Sequence, residues 1–283
     1  CRYWMCAKHP EDQAAEAVKA VEAGFKALKV KAGLNPEHDL KCLKAMREAV
    51  GDRVDIGLDF NGGYTAGKAI WTIKKMERHD PSHIEEPVNS TNINAMASVR
   101  KHVDTPILCC GPGCKTKESI QELIFKDAAD AVNLDLCENG GYLETQRCAA
   151  VAEAGGLEAS CHSSPGELGI ATAAQLNLAT ATPNCLEPVD SAYVKVLPPS
   201  KDIITRPFGY RDGTLMVPEG PGLGVEIDEE RFEEARRRYE TELHKWQHVR
   251  GRDPRVPSRQ FYYWHDHLEK YEWQATEWPY KEK

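Results

Sequence analysis

Short apolar or β-branched runs recur along this chain at a nearly constant interval, and that regularity constrains the fold more than any single motif. The runs are ALKVKAG (27–33), VDIGLDFN (54–61), SHIEEP (82–87), TPILCC (105–110), DAVNLDL (130–136), GLEASCH (156–162) and NCLEP (184–188), and RYWM (2–5) reads as an eighth. Their centres lie about 23 to 28 residues apart, close to the length of one strand-plus-helix unit. The segments between them carry helical patterns. NPEHDLKCLKAMREAV (35–50) opens on Asn-Pro and sets Leu40, Leu43, Met46 and Val50 near one face. TAGKAIWTIKKMERH (65–79) and YLETQRCAAVAEAGG (142–156) behave alike, the second stopping at Gly-Gly. Such alternation predicts a parallel sheet, and eight units favour a closed barrel over an open sheet. The 283 residues accommodate a barrel of roughly 250 residues with a tail.

After Pro188 the pattern stops. Residues 189–226 are rich in Pro and Gly and read as ordered loops with a hairpin, and 227–246 reads as a charged helix with Phe232, Ala235 and Tyr239 near one face. From His244 onward the chain holds four of its six tryptophans, too aromatic for a free linker. The division expected is therefore a barrel over 1–226 and, over 227–283, a helix and aromatic tail packed on the barrel or on a neighbouring subunit. The pair His265 and His267 in that tail reads as surface or packing residues.

Composition excludes several classes. Acids outnumber bases 44 to 36 for a net charge of −8, which argues against a nucleic-acid-coating surface. No run of eighteen apolar residues is present, so no membrane span is expected. Neither a basic n-region nor an apolar h-region opens the chain. Ten cysteines in this length are too dilute for a disulfide scaffold, and they are expected to be reduced, mostly buried and cytoplasmic. The grouping Cys109-Cys110-x3-Cys114 stands out among them.

In a parallel barrel the chemistry lies at the C-terminal ends of the strands. Those ends read Lys29 and Lys31, Asp59 and Asn61, Glu85 and Glu86, Cys109 and Cys110, Asp135, His162, and Glu187. Lys29 and Lys31 share a face by their spacing, and if that face is the interior, two ammonium groups depress each other's pKa until one can act as a base. The alternative is a solvated edge. Asp59 and Glu85 end neighbouring strands, an arrangement suited to Mg²⁺ and equally to ion pairs with the lysines. Asp135 and His162 also end neighbouring strands, where a carboxylate fixes the imidazole tautomer and raises its basicity. The alternative there is a buried, satisfied histidine.

The segments KVKAG, GLDFN, IEEP, NLDLCENGG, ASCHSS, LEPVD and VPEGPGLGVEID, in this order, resemble the mandelate racemase/muconate-lactonizing branch of the enolase superfamily. The resemblance covers about residues 10 to 228 and implies a modified barrel, (β/α)7β. Asp135 before the Gly-Gly pair and His162 after it are similar to the mandelate racemase subgroup, whose acid/base on one face is an Asp–His dyad. By the resemblance, Lys31 is the acid/base on the other face, and Lys29 steers a substrate carboxylate and tunes Lys31. Asp59 and Glu85 are the first two Mg²⁺ ligands, with Asn61 and Glu86 in support, and Glu187 hydrogen-bonds a developing enediolate. The implied chemistry is α-proton abstraction from a small carboxylate substrate. It leads to dehydration of an acid sugar to a 2-keto-3-deoxy acid or, at the same site, to racemisation or epimerisation of a hydroxy or amino acid. A homo-oligomer acting without nucleic-acid or membrane partners is the expected setting.

The chain departs from the family pattern twice. The third metal-ligand Glu falls in CCGPGCKT, where Pro112 stands at or beside its position. Three completions are open: water or another side chain fills the Mg²⁺ shell, Cys110 or Cys114 ligates a softer metal such as Zn²⁺, or the barrel binds metal poorly and is catalytically silent. By the resemblance an N-terminal capping domain is expected over the barrel mouth. The sequence starts close to the barrel's first strand, so either that domain is absent here or specificity is set elsewhere, with the aromatic tail as an alternative cover.

Overall fold

The computed structural model describes residues 1–163, 168–191, 193 and 201–246. Eight strands form one sheet: β1 (Arg2–Met5), β2 (Ala27–Lys31), β3 (Asp55–Asp59), β4 (His83–Glu85), β5 (Ile107–Cys109), β6 (Ala131–Leu134), β7 (Glu158–Cys161) and β8 (Asp190–Ser191). Their order is β7-β6-β5-β4-β3-β2-β1-β8, and the neighbours pair in parallel. A parallel bridge between Ala159 and Cys185 and a 3.1 Å bond from Ser160 Oγ to the Pro188 carbonyl bring the two ends of the sheet together. The result is the nearly closed barrel expected from the alternation. Helices α1 (Pro10–Glu22), α2 (Pro36–Val50), α3 (Ala66–Met76), α4 (Ile93–Arg100), α5 (Lys117–Phe125), α6 (Leu136–Asn139), α7 (Tyr142–Ala154) and α8 (Gly169–Thr180) connect the strands.

One run is misplaced by sequence reasoning. NCLEP contributes only the isolated bridge at Cys185, Leu186 is exposed, and the strand beside β1 begins two residues after Pro188. Proline has no N–H for a ladder, so pairing starts beyond it, where the Arg2 amide donates to the Val189 carbonyl at 2.8 Å. The periodic pattern therefore runs past Pro188 by one short strand.

Helix α2 shows how local sequence sets an element. Asn35 Oδ1 accepts from the Glu37 and His38 amides at 3.0 and 3.2 Å, and Pro36 supplies the first helical φ. Leu43 and Met46 turn into the core. At the other end buried Arg47 donates to the carbonyls of Gly51, Val54, His79 and Asp80 at 2.7–3.1 Å, tying the helix to the turns before β3 and β4. Replacing Arg47 with leucine strands those four carbonyls and is expected to cost about 3 kcal/mol, measured as a lowered midpoint in denaturant unfolding.

The strand alternation sorts side chains into two environments. Tyr3, Met5, Leu28, Val30, Ile56, Leu58, Ile84, Ile107, Val132, Leu134 and Ala159 join the apolar layer under the helices. The alternate positions fill the barrel interior with polar groups: Arg2, Lys29, Asp59, His83, Glu85, Asn133, Asp135, Ser160 and Asp190 are all buried. Gly57 makes room for this layer, since a Cβ there would stand 2.0 Å from the His83 ring.

Helix α9 (Glu229–Trp246) follows a Pro- and Gly-rich stretch held by antiparallel bridges Ile204–Ile227 and Arg211–Thr214. Arg231 anchors it by donating to the Ile204 carbonyl at 3.0 Å. Its apolar stripe is not buried by the described chain: Phe232 is 39% and Tyr239 64% exposed. The tail beyond 246, with His265 and His267, lies outside the described residues. No helix of the described residues is long and apolar enough to cross a membrane. All ten cysteines are free thiols and seven are buried. Cys137, in the one-turn helix α6 past the end of β6, is exposed.

Candidate active site

The C-terminal ends of β2, β3, β4, β6 and β7 bring six of the expected residues to one mouth. Asp59 pairs in register with Lys31 on one side and with Glu85 on the other. Lys31 Nζ donates to Asp59 Oδ2 at 2.5 Å and to Asn61 Oδ1 at 2.9 Å, and it stands 5.8 Å from the centroid of the Trp4 ring. Asn61, with φ of 43°, returns its amide to Asp59 Oδ1 at 2.9 Å. Lys31 is thus held at the rim, while Lys29 lies one turn of the pleat deeper and is fully buried.

Lys29 contradicts the expectation of two lysines depressing each other. Its ammonium donates to Glu85 at 2.8 Å and to Asp190 at 2.7 Å, with Asp59 at 3.6 Å. Burial alone would push this ammonium down, but Asp190, Glu85 and Asp59 outweigh it and hold the pKa well above the usual lysine range. Lys29 is therefore held in its charged form by carboxylates of its own chain, which leaves it unsuited to proton abstraction and occupied where the resemblance has it steering a substrate. Asp190 is held below the ordinary carboxylate range: burial opposes this, and Lys29 and Arg2 prevail. Burial and neighbouring Asp59 raise Glu85, against the pull of Lys29. Glu86, with φ of 42°, is pushed up to about 7 by burial and by Asp59, against a hydrogen bond from Ser90.

On β6 and β7 the expected dyad is present. His162 Nδ1 lies 2.9 Å from Asp135 Oδ2. The other Asp135 oxygen accepts from the amides of Cys137 and Glu138 at 2.7 and 3.2 Å, because Asp135 caps the short helix α6. Gly140 ends that helix in the left-handed region, at φ of 91°. Burial pulls the His162 pKa down, but the bond to Asp135 wins and raises it. In the sheet order, β1 and β8 separate β2 from β7 on one side, and four strands separate them on the other. Lys31 and His162 therefore approach the mouth from well-separated parts of the rim.

Glu187 does not belong to this group. It precedes β8, and its carboxylate pairs with Arg2, the first residue of β1. With Ser82, Pro106, Asp130 and Gly156, residues that lead into strands, it lines a cavity of about 330 Å³ at the opposite end of the barrel. The misassignment follows directly from taking NCLEP as a strand. Asp190, which sequence reasoning did not single out, takes the interior position on β8. Arg2, His83 and Asn133 were missed as well. Asn133 Nδ2 donates to Asp190 at 3.1 Å, and burial drives His83 well below the ordinary imidazole range, so that it is neutral.

The residues present do not build the oxygen-only shell that Mg²⁺ requires. Lys29 and Lys31 hold Asp59 and Glu85, and the turn after β5, Gly111–Cys114, offers Pro112 and no carboxylate. Among the described residues, the one group of three or more donors that converges is Glu85, Cys110 and His162, with ligand atoms within 4.8 Å of one another. Cys114 is turned away from it, its thiol directed at the carbonyls of Cys109 and Asn133, each at 3.4 Å.

Known proteins share this architecture. The N-succinyl-L-Arg/Lys racemase of Bacillus cereus is 30% identical over 229 residues, covering 80% of this chain and 59% of the racemase. The D-gluconate dehydratase of Thermoproteus tenax is 31% identical over 196 residues, covering 69% of this chain and 39% of the dehydratase. The crystal structure of the dipeptide epimerase from Cytophaga hutchinsonii, complexed with Mg and the dipeptide D-Ala-L-Val, superimposes with a TM-score of 0.75 at 25% identity over 80% of this chain and 61% of the epimerase. The chain thus spans about three-fifths or less of the curated relatives it matches. The sequence model of the family described as Enolase C-terminal domain-like matches residues 12–231, and with the barrel and strand-tip residues above, this chain belongs to that family.

Proposed function

We propose that this barrel removes the proton next to the carboxyl group of a small acid, and that its product is the 2-keto-3-deoxy acid left by dehydration of an acid sugar. The observation that supports this reading best is the pairing of two different proton carriers across one mouth: Lys31 on β2, and His162 after β7 with Asp135 at 2.9 Å. An α-proton beside a carboxylate is barely acidic, because its removal builds a dianionic enediolate. Lys31 takes that proton on one face and thereby becomes the cation that meets the charge as it forms. His162, whose pKa the bond to Asp135 raises, delivers a proton to the departing β-hydroxyl on the other. The T. tenax relative, named as a D-gluconate dehydratase, fits this outcome. Mg²⁺ is the cation the resemblance implies. With no fitting shell for it here, the reading is confined to the proton carriers.

The same pair supports a second outcome. If His162 returns its proton to the α-carbon and not to a leaving group, the result is racemisation, the activity for which the B. cereus relative is named. Incubation with a library of acid sugars and N-acylated amino acids in D2O separates the two. A 2-keto acid is the expected product, and α-deuterium without keto acid supports racemisation. Absence of both, with the protein folded, supplied with Mg²⁺ and free of added Zn²⁺, overturns proton abstraction.

A further inference from the structure

Cys110 stands at the end of β5, beside the position where a third carboxylate is missing, and it is 6% exposed. Among the described residues its thiol has no hydrogen-bond partner, and its sulfur, a Glu85 oxygen and a His162 nitrogen lie within 4.8 Å of one another. Donor atoms at 2.0–2.3 Å from a tetrahedral ion stand roughly 3.3–3.8 Å apart, so small side-chain movements close the cluster on a cation. His162 spends Nδ1 on Asp135 at 2.9 Å, which leaves Nε2 to ligate. A carboxylate behind a ligating imidazole is the usual support for such a ligand.

Charge points the same way. In the interior and mouth, Asp59, Glu85, Asp135 and Asp190 face Lys29 and Lys31, while Arg2 is offset by Glu187. With His162 neutral, as a metal ligand must be, two negative charges remain before Glu86 is counted, and a divalent cation neutralises them. The donor types then choose the cation. One carboxylate, one thiol and one imidazole suit Zn²⁺ and its neighbours, whereas Mg²⁺ takes oxygen ligands in a near-ideal octahedron.

We propose that Glu85, Cys110 and His162 form a three-ligand site for a thiophilic divalent cation of the Zn²⁺ class, with a fourth position open to the barrel mouth. This site replaces the oxygen-only Mg²⁺ site that the resemblance implies. It does not rest on the proton-transfer reading: deuterium exchange tests that reading, while stoichiometry and spectra test this one. The two meet at His162, whose Nε2 cannot ligate and carry a proton at once, so added Zn²⁺ is expected to suppress keto acid formation.

Chelator-treated protein is titrated calorimetrically with Zn²⁺ and with Mg²⁺, and separately with Co²⁺ as a spectroscopic probe. The expected results are one Zn²⁺ per chain, retained against excess Mg²⁺, and a thiolate-to-cobalt charge-transfer band that disappears in Cys110→Ser. Asp135→Asn is expected to weaken Zn²⁺ by about 10–100-fold, and Cys110→Ser by more. If Cys110→Ser does not fold, His162→Asn at the more accessible edge of the cluster must show the same weakening. The proposal is overturned by Zn²⁺ binding that neither variant alters, by Co²⁺ binding without a thiolate band, or by Mg²⁺ displacing Zn²⁺.

Discussion

His162→Asn is expected to lower 2-keto acid formation by about 10²–10⁴-fold, the contribution of a positioned acid or base, while the barrel still folds. Asparagine retains an amide that can bond Asp135, so the capping of α6 through the other Asp135 oxygen is undisturbed and the thermal midpoint should move little. What it removes is the imidazole that hands over the proton. The companion change is Asp135→Asn. The bond from His162 to Asp135 is what raises the imidazole against the lowering effect of burial, so its loss lowers the His162 pKa. The limb of the pH profile of keto acid formation that requires protonated His162 then shifts to lower pH, with turnover preserved on the acid side. Rates measured across pH in D2O check both. Unchanged keto acid formation in His162→Asn removes the imidazole from the reaction, and an unmoved limb in Asp135→Asn removes the carboxylate as its partner.

The parts of this site legible in the sequence are those fixed by one strand at a time. A carboxylate or imidazole that ends a strand in a parallel barrel must face the mouth, which is why Asp59, Glu85, Asp135 and His162 are placed correctly by their spacing alone. Neighbouring runs also gave the right neighbouring pairs, because consecutive strand–helix units lie side by side. Interactions that join distant strands were not legible. The K-x-K spacing puts Lys29 and Lys31 on one face, but it says nothing of Asp190, which is 161 positions away in sequence and 2.7 Å away in space. That carboxylate reverses the direction of the expected pKa shift. Glu187 was misread for a local reason: Cys-Leu-Glu before Pro188 has strand composition, yet the pairing strand begins beyond the proline. The polar barrel interior leaves no periodic trace of its own, since an alternating strand reads as half-exposed whether its polar face meets water or other charges. The Gly57–His83 contact is the one local hint, a residue without a side chain facing a ring that needs the space.

Lys29→Met is expected to cost about 3–5 kcal/mol of stability at neutral pH, the usual penalty for removing one member of a buried charged cluster. Lys29, Asp59, Glu85 and Asp190 are all at most 1% exposed, so water cannot solvate the carboxylates that methionine leaves behind. Methionine preserves most of the packing volume, and the penalty therefore reports charge. A domain of ordinary stability, about 5–15 kcal/mol, loses a third or more of its margin, which a denaturant midpoint shows directly. Adding Asp190→Asn removes one stranded charge, so the double variant should lose less than the two single changes together. The pH dependence identifies the source. Asp190 titrates below its unfolded value, near 3.9, because Lys29 and Arg2 stabilise its anion. Its contribution is therefore full above about pH 4 and is lost as the pH falls through the folded value. In Lys29→Met the Asp190 pKa rises and that acid loss shrinks. The stability gap between the two proteins should narrow steadily from pH 7 to pH 3, because protonation also relieves the variant of its unpaired charge. A gap that stays constant over that range would place the cost in packing and detach it from the carboxylates around Lys29.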